Sequence, residues 1–143
     1  MAQASAHIAL PATADSVWRL IGGFDSLPDW LPYIPKSELS EGGRVRTLAN
    51  SAGEAIVERL LAFDEEGRSY SYAILSAPFP VSGYRATLRV LEAAGGTARV
   101  EWSGEFTPQG VSDEEASRLF RGIYEDGLKA LAAGFKAAFK AAS

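Results

Sequence analysis

The spacing of hydrophobic positions along the chain changes from helical to alternating and back to helical. Near the N-terminus, apolar residues recur at helical spacing after Thr13, a residue type that caps helices, and the predicted helix ends at the glycine pair 22–23. A second short helix is predicted in DSLPDWL, where Ser26 can act as the cap and Pro28 is tolerated in the first turn. Two short helices therefore precede the alternating region.

The alternating region predicts an antiparallel sheet. Its segments are separated by EGG, NSAG, DEEG, APFPVSG and AAGG, and most of these are the Gly, Asn and Asp clusters that hairpin turns require. With SAHIAL near the N-terminus, they make about seven strands. The candidate strands are residues 5–10, 36–40, 44–49, 54–64, 69–76, 84–92 and 97–106.

The last segment predicts one long helix. Ser112, followed three residues later by Glu115, matches a capping box. The helix runs for about 28 residues, or roughly 40 Å at 1.5 Å per residue, so it must lie across the sheet. Its apolar stripe consists of Leu119, Phe120, Ile123, Tyr124, Gly127, Leu128, Leu131 and Phe135. The order of elements indicates an α+β fold in one domain spanning residues 1–143.

Composition narrows the class of function. The chain has 143 residues, a net charge of −4 and scattered Lys and Arg, which argues against binding a nucleic-acid backbone. It has no cysteine, so no disulfide, thiolate metal site or cysteine nucleophile can form. No signal-peptide pattern or apolar run of about 20 residues is present. We therefore expect a cytoplasmic monomer or homodimer without a membrane span.

The sequence resembles the SRPBCC, or Bet v 1-like (START-like), superfamily, and within it the polyketide cyclase/dehydrase and lipid-transport group. The matching segments are LPATADSVWRLIGGFDSLPDWLP, GGRVRTL, IVERLLAFDEEGRSYSYAIL, PFPVSGYRATLRV, TARVEWSGEF and the closing helix. This resemblance covers nearly the whole chain. It implies a helix-grip fold, in which a curved antiparallel sheet wraps around the long C-terminal helix, with two short helices between strands 1 and 2.

The resemblance also implies a ligand cavity between the sheet and the long helix. The proline-rich stretch 24–35 then shapes the mouth, with Trp30 as a gate residue, and the segment around Phe79 forms a facing rim. Trp30 and Phe79 could equally be packing residues that do not touch a ligand. The other expected ligand-binding residues are Tyr72, Tyr84, Leu88, Trp102 and Tyr124.

Glu58 and Arg46 are the candidate catalytic residues. If Ile56 and Leu60 face the core, Glu58 faces it too, although apolar residues at 57, 61 and 63 make the opposite phase plausible. Arg46 shares that face if the hairpin register has the right parity. Two charges in an apolar cavity need each other, so the pair either orients a polar ligand or forms a purely structural ion pair.

The sequence contains no motif of a metal-dependent, phosphate-binding or serine-hydrolase site. His7 is the single histidine and has no second metal-ligating partner in its pattern. The chain contains no phosphate-binding glycine loop, nucleophile elbow or HExxH motif. We therefore expect no metal and no cofactor.

Three functions follow from this reading. The first is binding of a small hydrophobic or aromatic molecule, polyketide-like or lipid-like. The second is a cofactor-independent cyclase, aromatase or dehydratase, in which Glu58 transfers a proton while Arg46 or a tyrosine stabilises an enolate. The third is a protein-interaction surface at the end of the last helix, around Phe139.

Overall fold

A computed structural model of the chain describes residues 2–142, with side chains described for residues 2–135. Phe139, the centre of the predicted interaction surface, lies outside the described side chains. The elements are β1 (Ala2–Leu10), α1 (Ala14–Ile21), α2 (Leu27–Trp30), β2 (Lys36–Ser40), β3 (Val45–Ala49), β4 (Ala55–Asp64), β5 (Ser69–Ser76), β6 (Val81–Ala93), β7 (Thr97–Pro108) and α3 (Asp113–Ala142).

The strands form one antiparallel sheet in the order β1-β7-β6-β5-β4-β3-β2. Strands β2 to β7 therefore pair in sequence order, as short hairpin connections dictate, and β1 closes the sheet beside β7. The inner face of this curved sheet is apolar and packs on α3, while most side chains on the outer face are polar. This is the predicted α+β helix-grip architecture.

The helix boundaries follow local hydrogen bonding. The Thr13 side chain caps α1 by accepting from the Ser16 amide at 3.2 Å, and Gly22 ends the helix. Ser112 caps α3 through its hydroxyl, which accepts from the Glu115 amide at 3.1 Å. Ser26 occupies the N-cap position of α2 as expected, but its hydroxyl donates back to the Gly23 carbonyl and makes no capping bond into the helix.

Three strands are longer than their sequence patterns predict. Strand β1 begins at Ala2 rather than residue 5, because it pairs with β7 along its whole length, from Ala2 opposite Phe106 to Leu10 opposite Ala98. Strand β6 begins at Val81 rather than residue 84. Its pairing is irregular around Gly83, which has a φ of 61°, so the alternating pattern does not extend back to the first residues of the strand. The same pairing extends β7 to Pro108. Cross-strand pairing therefore adds residues that lack an alternating pattern of their own.

Two bulges interrupt the ladder between β4 and β5. Leu75 is skipped between the pairs Val57–Ser76 and Glu58–Ile74, and Leu61 is skipped between Leu60–Tyr72 and Ala62–Ser71. Both bulged leucines are exposed. Because a bulge shifts the alternation by one residue, the inner face of β4 includes Glu58 and Leu60 before the bulge and Phe63 after it.

Helix α3 packs closely against the α2–β2 segment at Gly127. A Cβ added there would lie 2.7 Å from Tyr33 Oη, 2.8 Å from Leu31 Cδ2 and 2.9 Å from Trp102 Cζ3, all shorter than real Cβ contacts. Gly122, on the same helix, has no such neighbour within 4 Å. Glycine at position 127 therefore lets three side chains reach the helix backbone. Among the residues with described side chains, no helix is long and apolar enough to cross a membrane.

We predict opposite effects of alanine at these two glycines. Gly127→Ala forces Tyr33, Leu31 and Trp102 apart, so it should destabilise the protein by about 1–3 kcal/mol, the usual cost of overpacking. Gly122→Ala, the matched control, should stabilise it by up to about 1 kcal/mol through helix propensity alone. Urea unfolding of both variants measures the difference, and equal stabilisation by both would contradict the close approach.

Candidate functional site

An internal cavity of about 370 Å³ lies between the inner face of the sheet, α3 and the α2–β2 segment. Its wall contains the exposed Ser51 and Ala52 and the half-buried Phe79, which mark the side open to solvent. The volume is at the small end of the range for ligand sites, which are mostly apolar with a few convergent polar groups. The lining residues are Leu27, Leu31, Tyr33, Ile34, Arg46, Leu48, Asn50, Ser51, Ala52, Ile56, Glu58, Tyr72, Ile74, Phe79, Tyr84, Trp102, Phe120, Ile123 and Tyr124.

The cavity contains a buried ion pair. Arg46 Nε donates to Glu58 Oε1 at 2.8 Å, and Arg46 Nη2 lies 2.7 Å from the same oxygen. Arg46 Nη1 donates to the Phe24 carbonyl at 3.0 Å and to the Tyr70 hydroxyl at 3.2 Å. Burial raises the pKa of the Glu58 carboxyl, and the Arg46 guanidinium opposes that rise. The pair therefore holds a carboxyl whose proton affinity is set by two opposing effects.

Strand register creates this pair. Arg46 lies directly opposite Glu58 in the β3–β4 ladder, so the two side chains emerge on the same face. The guanidinium carbon lies 4.3 Å from the centre of the Phe24 ring and 4.8 Å from that of Tyr72. These aromatic rings cover the cation and offset part of its lost hydration. The parity that the sequence left open is therefore the one in which both charges face inward.

A chain of hydroxyl groups forms a second polar feature of the wall. Trp102 Nε1 donates to Tyr72 Oη at 3.0 Å, Tyr72 Oη lies 3.5 Å from Tyr84 Oη, and Tyr84 Oη is hydrogen-bonded to Tyr124 Oη. Burial raises the pKa of all three tyrosines well above the ordinary value. Each phenol therefore remains a neutral donor and acceptor at physiological pH.

Most of the predicted site residues meet in the cavity. Arg46 and Glu58 line it, as do five of the seven expected ligand-binding residues: Tyr72, Phe79, Tyr84, Trp102 and Tyr124. Trp30 and Leu88 are not on its wall. Trp30 packs on Trp102 with ring centres 5.9 Å apart, and Leu88 is buried opposite Tyr70 and Trp102 in the sheet.

The sequence did not predict three residues that hold the polar groups or the walls of the site in place. Phe24 and Tyr70 complete the surroundings of the guanidinium, and Tyr33 donates to the Ile123 carbonyl of α3 at 2.9 Å. Tyr70 had a usable signal, because it shares a strand face with Tyr72. Phe24 and Tyr33 had only their place in an aromatic stretch, and their partners are distant in sequence.

A second, larger concavity lies on the outer face of the sheet. It measures about 660 Å³ and is lined mainly by hydroxyls and charged side chains, among them Arg85 and Glu105. Ser5, Ser103, Thr87 and Ser71 follow one another across four strands in its lining. These are half-buried or exposed groups on a solvated surface. The inner cavity, with its buried charges, is therefore the candidate site.

The described residues contain no group of three or more His, Cys, Asp and Glu side chains placed to hold a metal ion.

The curved sheet, the long helix and the cavity between them define a helix-grip protein of the START-like fold. Residues 1–136 match the family model described as polyketide cyclase / dehydrase and lipid transport. The chain belongs to this family, within the SRPBCC or Bet v 1-like superfamily. The comparison with curated protein sequences finds no match.

Solved structures agree with this assignment. The chain is 56% identical to the protein XoxI from Bacillus cereus, with a TM-score of 0.93 over 94% of this chain and 96% of that one. It is 30% identical to a Thermobifida fusca protein, with a TM-score of 0.80 over 94% and 93%. The Zhui aromatase/cyclase from Streptomyces sp. R1128 is 18% identical, with a TM-score of 0.75 over 99% and 95%, and shares the fold.

Removing one member of the ion pair should cost more stability than removing both. Arg46→Met leaves the Glu58 carboxylate without its partner, and we expect a loss of about 3–5 kcal/mol at pH 7. The double variant Arg46→Met/Glu58→Leu should recover most of that loss. The orphaned acid binds its proton more tightly in the folded protein, so the loss should shrink at pH 5 and grow as the pH rises.

Urea unfolding of the single and double variants at both pH values makes this test. A double variant that is less stable than Arg46→Met would show that the pair itself, rather than the avoidance of an unpaired charge, stabilises the fold.

The buried tyrosines should lose their hydroxyl protons only at a higher pH than exposed tyrosines do. Burial raises the pKa of Tyr33, Tyr72, Tyr84 and Tyr124, so these four should stay protonated in the folded protein at about pH 11. The folded state then retains protons that the unfolded chain releases, so stability must fall as the pH rises above about 10. Tyrosinate absorbance, compared with that of the urea-unfolded chain, measures this. Ionisation of these four near pH 10 without unfolding would contradict their burial.

Proposed function

We propose that the protein binds a small, largely aromatic or apolar molecule in the inner cavity, with the polar end of the molecule near Glu58. The observation that carries this proposal is the combination of an aromatic wall with a buried ion pair at one place on it. Rings supply apolar contact area, and a few fixed polar groups orient the ligand. The family description, which joins cyclase/dehydrase activity with lipid transport, supports an internal ligand of this kind.

The wall is built so that its rings do not close over the cavity. Trp102 is held by its bond to Tyr72, and it stacks on Tyr124 with ring centres 4.7 Å apart. Tyr33 is held at its tip by α3. Because these polar tips would lose their partners if the rings turned inward, collapse is opposed by the cost of burying unpaired donors. A maintained space of this kind supports ligand binding rather than plain core packing.

Catalysis is the second candidate function. Glu58 is the group suited to abstract a proton beside a ligand carbonyl, because burial raises its pKa toward the range useful for general acid–base work. Arg46 is engaged by Glu58, Phe24 and Tyr70, so a tyrosine hydroxyl of the wall is the better donor to an enolate oxygen. A cofactor-independent cyclase, aromatase or dehydratase fits these roles.

Native mass spectrometry tests binding first. We expect the freshly purified protein to carry an extra mass that mild organic extraction removes, and we expect its tryptophan fluorescence to change as the ligand is added back. Phe79→Ala at the cavity mouth should weaken rebinding at least several-fold, while Phe63→Ala, at the exposed end of β4 beside Trp18, is the matched control. Failure of the protein and of small aromatic probes to form any complex would overturn the proposal.

Turnover of the extracted molecule separates the two candidates. If the protein is an enzyme, Glu58→Gln should abolish product formation even at saturating ligand, because the amide keeps the shape but cannot accept the proton. Activity retained in Glu58→Gln would remove Glu58 from the mechanism. The same assay with Glu105→Gln, on the outer face, controls for the substitution itself.

A further inference from the structure

The two side chains of the ion pair are not equally exposed. The Glu58 side chain is 7% exposed and that of Arg46 is 1% exposed. Both contacts between them end on Glu58 Oε1. In the part of the chain with described side chains, the fully buried side-chain atoms that lack a hydrogen-bond partner are Trp30 Nε1 and Ser37 Oγ. Glu58 Oε2 accepts no hydrogen bond from the described side chains and is not among these fully buried atoms, so it keeps some exposed surface, and the cavity that Glu58 lines is the open space beside it.

Four of the five N–H groups of the Arg46 guanidinium have partners in the protein. The N–H group on Nε and one on Nη2 contact Glu58. The two on Nη1 donate to the Phe24 carbonyl and to the Tyr70 hydroxyl. Its carbon also lies 4.3 Å from the centre of the Phe24 ring and 4.8 Å from that of the Tyr72 ring. A ligand therefore meets the carboxylate of the pair more readily than the cation.

The hydroxyl chain supplies one donor to complement this acceptor. Tyr72, Tyr84 and Tyr124 carry one hydroxyl proton each, and the two links between them use two of these. The remaining proton lies on one of these three tyrosines, and all three line the cavity. Trp102 Nε1 donates to Tyr72 Oη, so this bond does not use the remaining hydroxyl proton.

Resting on the proposed function, we propose that the cavity selects uncharged ligands that carry a hydroxyl or N–H donor for Glu58 Oε2, and that it rejects carboxylates of the same size and shape. A donor to a charged acceptor makes a strong hydrogen bond in a water-poor site. A ligand carboxylate beside Glu58 would place two like charges together, and the ligand carboxylate would also lose its hydration. The cavity therefore favours phenols, enols or alcohols over free fatty or aromatic acids.

Three matched probes test this selectivity. They are 2-naphthol, 2-naphthoate and naphthalene, which share one ring system and differ in the donor and the charge. At pH 7, where a phenol is neutral and an aromatic acid is ionised, 2-naphthol should bind at least tenfold more tightly than 2-naphthoate, with naphthalene between them. Isothermal titration calorimetry gives the three affinities.

Two variants assign the effect to Glu58. Glu58→Gln keeps the shape and removes the charge, so 2-naphthol should lose affinity, 2-naphthoate should gain it, and the ratio should fall severalfold toward one. If Glu58→Gln fails to fold, the double variant Arg46→Met/Glu58→Leu removes both charges and should bring the same ratio close to one. Glu105→Gln, on the outer face of the sheet, is the control and should keep the wild-type ratio.

The outcomes separate the selectivity from the proposed function. If naphthalene binds but 2-naphthoate equals or exceeds 2-naphthol in the wild-type protein, the cavity stands and the selectivity is overturned. An unchanged ratio in the variant that folds likewise overturns the role of Glu58. If none of the three probes binds, binding of small aromatic ligands itself is overturned.

Discussion

The buried pair of Arg46 and Glu58 is the constraint on which the rest of the structure depends. Two charges beneath an apolar sheet are tolerated only when every strong polar contact is satisfied. Here that requires β3 and β4 in one register, Tyr70 on β5 at bonding distance, and the Phe24 carbonyl between α1 and α2. Four segments must therefore assemble together around one guanidinium.

The cavity persists because its wall is anchored at polar tips as well as packed. Tyr33 is fixed to the α3 backbone, Trp102 to Tyr72, and Tyr84 to Tyr124. Glycine at 127 lets the α2–β2 segment reach α3 without a clash, which brings the opposite walls into contact around the space. Apolar packing alone would favour closing such a gap. Directional bonds at its edges oppose that closure.

The sequence predicted the fold well because its signals are local. Periodicity, caps and turn glycines set the order of elements, and Ile56 with Leu60 indicated that Glu58 faces inward. Alternation gives the face of a strand but not the position along it, which is why Leu88 was placed on the right face and yet lies beyond the cavity. The orientation of Trp30 and the partners of Phe24 and Tyr33 depend on tertiary contacts, and no pattern in the chain records them.

The bulge at Leu61 explains two of the three apolar residues of β4 that supported the opposite phase. Leu61 is itself the exposed bulged residue, and the alternation after it places Phe63 on the inner face, where it packs on Trp18. The first half of β4 therefore lines the cavity, its second half packs on α1, and the bulge at Leu61 separates the two halves. Substitutions at the cavity-lining positions of β4 therefore leave the contact between Phe63 and Trp18 at the other end of the strand in place.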